Sequence, residues 1–151
     1  MSTKTRFFVG DFETTVYKGQ TNTEVWASAS VELYTEDVHI FHSIGEQFEY
    51  FKSLNCNLVV YYHNLKFDGN FWLSYLLVDE GFTQAYEQLD ENGLSYKWLP
   101  NKHMPSNSVK YSISEMGQWY SILIKVGRRF IELRDSLKLL PFALMRIGES
   151  F

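Results

Sequence analysis

The segment NLVVYYHN, residues 57–64, is a continuous apolar run of strand length. A run without polar alternation is typical of a strand that is buried on both faces of a central sheet. The next residues, LKFDG (65–69), predict a turn, and NFWLSYLLVDE (70–80) predicts a helix with Gly81 as its C-terminal cap. The segment therefore predicts a strand–turn–helix unit at the centre of the fold.

The residues before this unit predict a meander of three strands followed by a helix. RFFVGDFETT (6–15), EVWASASVEL (24–33) and VHIFH (38–42) have the composition of strands. The second strand alternates with period two, which predicts a half-buried strand whose apolar face is formed by Val25, Ala27, Ala29, Val31 and Leu33. After the third strand, Ser43 and Glu46 form a capping-box pattern. Apolar residues then recur at helical spacing at Ile44, Phe48, Phe51 and Leu54.

The second half of the chain predicts further strands and a last helix. Residues 83–108 are polar and contain two prolines, and they give no clear element. Residues 111–126 and 128–136 predict a hairpin that turns near Gly127 and Arg128, and a helix is expected to begin at Pro141. The pattern as a whole predicts a mixed α/β fold with a mixed central sheet and flanking helices.

Composition limits the classes of protein to which the chain could belong. A length of 151 residues with 45% apolar content predicts one globular domain. The single cysteine, Cys56, cannot form an internal disulfide, so we interpret it as a small apolar residue in a reducing compartment. There is no apolar run of the roughly 20 residues that a membrane-spanning helix needs, nor a secretion signal. We therefore expect a cytoplasmic protein without a membrane partner.

Charge is distributed unevenly along the chain. Residues 1–96 contain five Lys and Arg against fourteen Asp and Glu, whereas residues 97–138 contain eight against three. Such asymmetry could direct an anionic ligand towards one side of an acidic metal site, or it could be only a dipolar surface.

Three carboxylates are candidates for a metal site. Asp11 and Glu13 are two positions apart on the first strand, so their side chains are expected on the same face, with Cα atoms about 6.6 Å apart. Two like charges at this spacing favour a hard cation such as Mg²⁺ or Mn²⁺, although a solvated strand can also contain them. Asp68 lies between the central strand and the next helix, where it is either a further ligand or only an N-cap. A two-metal nuclease has this layout of acids.

Four sequence motifs resemble those of one known family. DFETT (11–15), YYHNLKFDGNFW (61–72), MGQWY (116–120) and RDSLKLLPF (134–142) occur in an order and at spacings that closely resemble the N-terminal exonuclease domain of protein-primed family B DNA polymerases of phages. The resemblance covers nearly the whole chain. It implies an RNase H-like fold of the DEDD exonuclease type, a single exonuclease-like domain over residues 1–151, and a location in the cytoplasm of the host cell.

The resemblance also implies roles for individual residues. Asp11, Glu13 and Asp68 match catalytic carboxylates that bind Mg²⁺ or Mn²⁺. The residues expected to hold the 3′ end of single-stranded DNA are Thr14, His63, Asn64, Phe67, Phe71, Ser136 and Leu137. Phe71 would act by stacking on a base, although an aromatic residue beside a buried strand is also a common core residue. Lys125, Arg128, Arg129 and Arg134 would supply positive charge, or they are ordinary hairpin charges.

One element of that family is missing from the sequence. The fourth acid lies in a Tyr-x-x-x-Asp motif on a later helix, and the polymerase domains follow it, so the chain is expected to be a partial domain whose C-terminal helix is cut short. Tyr75 and Asp79 have this spacing, but Asp79 follows Asp68 on the same predicted helix, about 16 Å further along, too far to share a metal.

Two functions follow as alternatives. The first is a metal-dependent 3′–5′ proofreading exonuclease domain with weak or absent activity. The second is a catalytically dead module that binds single-stranded DNA or a protein. An uncovered sheet face would favour a replication priming protein, another protein, or a second copy of the chain as partner.

Overall fold

The computed structural model describes residues 4–14, 25–63, 65–91, 95–113 and 119–136, with backbone only for residues 26, 113, 119 and 120. Two α-helices lie in this part of the chain, α1 (Ile44–Ser53) and α2 (Leu65–Ser74). The strands are β1 (Thr5–Thr14), β2 (Val25–Glu32), β3 (Val38–Phe41), β4 (Asn57–Tyr62), β5 (Thr83–Gln84), β6 (Tyr86–Gln88), β7 (Tyr96–Trp98), β8 (Ser108–Ile113), β9 (Trp119–Val126) and β10 (Arg129–Asp135). A π-helical turn, Tyr75–Asp79, extends α2, and a 3₁₀ turn covers Asn101–His103.

Eight of the described strands form one mixed sheet in the order β3-β2-β1-β4-β10-β9-β8-β5, and β6 and β7 form a separate hairpin. In the centre of the sheet, β1 and β10 both pair with β4 in parallel. The predicted meander of β1, β2 and β3 is confirmed, and so is the hairpin that turns at Gly127. Its first arm is shorter than predicted, because residues 111–113 belong to β8, a separate strand that pairs with β9 in antiparallel. Gly127 has a φ of 63°, a conformation that glycine adopts without strain.

The central strand is buried on both faces, as its apolar run predicts. Leu58, Val60 and Tyr62 of β4 lie in the main core, and the alternate residues Val59 and Tyr61 are buried on the other side of the sheet. The core lies between the sheet and the two helices. Its largest fully buried side chain is Trp72 of α2, which contacts aromatic rings of α1, β1 and β4.

Helix α1 forms where its capping box predicts. The Ser43 hydroxyl accepts the backbone N–H of Glu46 at 3.1 Å, and the Glu46 carboxylate accepts the N–H of His42 at 2.8 Å. Phe48 and Phe51 on its inner face are fully buried, which contributes about 1.5–3 kcal/mol each.

The predicted buried face of β2 is wrong. Ser28, Ser30 and Glu32 are buried, whereas Leu33 is exposed. The reason lies in the partner strands: Ser28 is paired with Phe12 on one side and Phe41 on the other, so a small residue makes room for two large rings. Glu32 is buried because Arg6 donates two hydrogen bonds to its carboxylate, which lowers the pKa of Glu32.

Helix α2 begins earlier than its sequence predicts. The LKFDG segment is its first turn and a half, not a turn before it. The C-terminal end agrees with the prediction, because Gly81 has a φ of 70° and the N–H of Phe82 donates to the carbonyl of Leu76 at 2.8 Å. The helix predicted from Pro141 lies outside the described residues. In the described part of the chain, the helices are too short or too polar to cross a bilayer.

Candidate active site

The three parallel strands at the centre of the sheet have their carboxyl ends on the same side of the sheet, and acidic residues lie at these strand ends. Gly10 of β1 and Asp135 of β10 are both in register with Tyr62, the last residue of β4. Asp11 is the next residue of β1, and α2, which contains Asp68, begins three residues after Tyr62. In α/β proteins, ligand sites form beyond the carboxyl ends of parallel strands.

Asp11 and Glu13 lie on the same side of β1, as predicted. Both are exposed, whereas Gly10 before them and Phe12 between them are buried on the helix side of the sheet. The acid pair is therefore available to a ligand at the open side of this edge.

Asp68 is in a different environment, because it is only 5% exposed. Burial raises its pKa to about 7, and the nearby charges of Asp11 and Asp135 act in the same direction. The alternative that Asp68 is only an N-cap is wrong, because α2 begins at Leu65 and Asp68 is within its first turn.

Asp135 is a buried carboxylate that lies in the RDSLKLLPF motif but for which the sequence analysis predicts no role. It is 6% exposed, and its Oδ2 accepts the backbone N–H of Leu65 at 3.1 Å. The signal that could have identified it is its place as the last residue of a strand parallel to β4, since such a residue reaches the edge where Asp11 and Asp68 lie.

Below the acids, a buried polar network holds the edge of the sheet. The Tyr62 hydroxyl accepts the indole N–H of Trp72 at 3.0 Å and donates to Gln47 at 3.3 Å. Burial raises the pKa of Tyr62, so the phenol stays neutral. A Cβ at Gly10 would lie 2.6 Å from the Tyr62 ring, so only glycine fits between this ring and Asp11.

Two aromatic side chains lie on α2 beside Asp68. Phe67 is 47% exposed, and its ring meets Phe71 edge to face at a centroid distance of 5.1 Å. Phe71 is half-buried, and its ring centroid lies 6.3 Å from that of Phe12. It therefore also packs against the core, in agreement with the alternative that it is a core residue. Phe67 thus offers a free ring face, and Phe71 supports it.

The remaining predicted DNA-binding residues are divided between the strand ends. Thr14 is the last residue of β1, exposed His63 follows β4, and Ser136 follows β10. Asn64 and Leu137 lie outside the described residues. The structure brings the described members to the same edge of the sheet, while their roles stay predictions.

Three of the four basic residues predicted to supply positive charge on the hairpin make contacts within the protein. Arg134 donates to Glu132 at 2.9 and 3.0 Å, and Arg129 donates to the carbonyl of Lys52 at 3.0 Å. Lys125 lies over the Phe130 ring at 5.4 Å. These three residues therefore have structural contacts of the ordinary kind.

The donor chemistry of the acids fits a hard divalent cation, because Mg²⁺ and Mn²⁺ prefer carboxylate oxygens. Among the residues that the structure describes, however, no three His, Cys, Asp or Glu side chains are arranged to hold a metal ion. The ligand set Asp11, Glu13 and Asp68 therefore stays a prediction.

Comparison with known proteins gives relatives of one kind. No family model matches the chain. The DNA polymerase of Bacillus phage Nf is 34% identical over 152 residues, which cover 97% of this chain and 23% of the phage protein. For the DNA polymerase of Bacillus phage phi29 the identity is 36%, over 93% of this chain and 22% of the phage protein. The chain thus spans about a quarter of the length of the curated relatives it matches.

Solved structures show the same similarity in three dimensions. Phi29 DNA polymerase in its post-translocation complex with primer-template DNA matches with a TM-score of 0.69 and 29% identity, over 98% of this chain and 24% of that chain. The polymerase complexed with single-stranded DNA matches with a TM-score of 0.68 over the same shares. The predicted fold class, an RNase H-like mixed sheet with flanking helices, is confirmed. Over nearly its whole length, this chain is therefore similar in sequence and in fold to phi29-type phage DNA polymerases, and the similar region is about a quarter of the length of each polymerase.

Proposed function

We propose that the chain is a metal-dependent 3′–5′ exonuclease domain of a protein-primed DNA polymerase, which removes nucleotides from single-stranded 3′ ends during replication in the host cytoplasm. The observation that carries the proposal is the burial of Asp68 at the end of the sheet where Asp11 and Asp135 also lie. Negative charges held together in this way favour a cation between them.

Asp11, Glu13 and Asp68 would hold Mg²⁺ or Mn²⁺ in this proposal. The bound ions would stabilise the negative charge that develops on the attacked phosphodiester. The chain itself orients the strand: Phe67 stacks on a base with its exposed ring, and Phe71 fixes the position of Phe67. Base–aromatic stacking is worth about 1–3 kcal/mol per base and tolerates any sequence, which suits proofreading.

Digestion of single-stranded DNA labelled at its 5′ end tests the proposal. The chain is expected to produce a weak ladder of shortened products with Mn²⁺ or Mg²⁺ and none with EDTA. Asp11→Ala/Glu13→Ala should abolish the ladder, because it removes two of the proposed ligands.

Asp37→Ala/Glu49→Ala is the matched control, since it also removes two exposed acids, from a turn and from α1. This control should cleave at the rate of the unchanged chain. A ladder that survives in Asp11→Ala/Glu13→Ala would contradict the assignment of these residues.

Binding of single-stranded DNA without cleavage is the second candidate function, and the exposed Phe67 ring favours it, because stacking needs no metal. The same assay distinguishes the two candidates. If the chain binds labelled DNA in fluorescence anisotropy but gives no ladder with either metal, the chain is a binding module.

Protein contacts belong to this proposal as well. A replication priming protein would approach the carboxyl ends of the central strands, where the proposed DNA-binding residues lie. A second copy of the chain would pair with an outermost strand of the sheet. A pull-down with the priming protein and sedimentation of the chain alone would test these two contacts separately.

A further inference from the structure

Asp135 joins two elements that are far apart in the sequence. Its carboxylate lies at the end of β10, and it accepts the N–H of Leu65, which is 70 positions earlier in the chain and is the first residue of α2. Asp68 lies three residues after Leu65, one helical turn further along. The hydrogen bond therefore fixes the turn of α2 that contains Asp68.

A helix start normally obtains its acceptor from a neighbouring Ser, Thr, Asp or Asn. In α1 this acceptor is the adjacent Ser43. In α2, an acceptor among the described residues comes from β10, and it is an acid close to Asp68. Burying a second carboxylate beside a first is unfavourable unless an interaction offsets it, and the hydrogen bond from the N–H of Leu65 is such an interaction.

We infer that Asp135 is a positioning residue, because it locks the first turn of α2 to the end of β10. The lock holds Asp68 in place relative to Ser136, the residue that follows Asp135. The inference rests on the proposed function for what Asp68 does, but the lock itself is a property of the fold. Because the lock is a hydrogen bond to a backbone N–H, an uncharged acceptor of the same shape retains it.

The test compares Asp135→Ala with Asp135→Asn. Amide hydrogen exchange, measured by NMR with EDTA present, should be at least tenfold faster at Leu65 in Asp135→Ala, while the amides of β4 keep their protection. Asp135→Asn should stay within threefold of the unchanged chain, because its side-chain oxygen still accepts the N–H. In the exonuclease assay, kcat should fall at least tenfold in Asp135→Ala with little change in KM, and Asp135→Asn should recover most of the loss.

Glu32→Ala is the matched control, since Glu32 is another buried acid with a hydrogen-bonded partner, Arg6, but lies on β2. It should destabilise the chain without changing exchange at Leu65 or kcat. Equal loss of kcat in Glu32→Ala and Asp135→Ala would overturn the inference, and so would unchanged exchange at Leu65 in Asp135→Ala. Failure of Asp135→Asn to recover kcat would also overturn it, since the charge would then be the essential property. If the unchanged chain neither cleaves DNA nor binds Mn²⁺, the proposed function fails, while the exchange at Leu65 still tests the lock.

Discussion

At Asp68, burial and neighbouring charge act in the same direction. Both disfavour the ionised carboxylate, which raises its pKa to about 7, whereas an exposed aspartate in the unfolded chain titrates near 4. Between these values the folded chain keeps a proton that the unfolded chain releases. Stability therefore falls as the pH rises from about 4 to about 7, and the full destabilisation is present above that range.

Asp68→Asn should remove this pH dependence, because the amide does not ionise. In urea unfolding with EDTA, the free energy of unfolding of the variant should exceed that of the unchanged chain. This difference should grow by on the order of 2–4 kcal/mol between pH 5 and pH 8. Asp37→Asn, in an exposed turn, controls for the loss of one negative charge. A stability difference that is equal at both pH values would contradict the prediction.

At the scale of the elements, the close approach of β1 to the Tyr62 ring sets the position of Asp11. Tyr62 cannot turn away, because its hydroxyl is held by Trp72 and Gln47 and its side chain is fully buried. The strand therefore needs a residue without a side chain at position 10.

Gly10→Ala should destabilise the chain by about 1–3 kcal/mol, because a methyl group overlaps the ring. It should also reduce exonuclease activity, since β1 must shift next to Asp11. In a double-mutant cycle with Tyr62→Leu, most of the effect of Gly10→Ala on unfolding should disappear, since the ring is gone. Additive effects of the two changes would contradict this account.

Local signals predict the elements that depend on local contacts. The capping box predicts α1 because its hydrogen bonds join residues three or four apart, and the apolar run predicts β4 because both of its faces are buried. The inner face of β2 depends on cross-strand pairing with Phe12 and Phe41, which periodicity does not encode. Asp135 was missed for the same reason, since its partner Leu65 is 70 residues away.

At the scale of the whole molecule, the sheet has an edge that is open among the described residues. Strand β3 lies at one end of the sheet order, and its Val38 and Ile40 side chains are 60% and 73% exposed. Exposed apolar edge strands pair readily with other chains. We therefore expect the predicted self-association to use this edge.

Ile40→Lys should suppress self-association, because a charged side chain on an edge strand opposes pairing. In sedimentation velocity, the sedimentation coefficient of the unchanged chain should increase with concentration, and that of the variant should not. Val78→Lys, an equally exposed apolar position at the end of the π-helical turn, is the control and should behave like the unchanged chain. Association that is equal in all three chains would exclude β3 as the contact.

The parallel pairing of β10 with β4 has a consequence for synthesis on the ribosome. The pairing joins residues about 70 positions apart, and such distant contacts form slowly because a long loop must close first. Asp11 and Asp68 leave the ribosome well before Asp135, the residue that fixes the start of α2. The acidic end of the sheet is thus completed only after β10 has been made and has paired with β4, the strand that lies between β1 and β10.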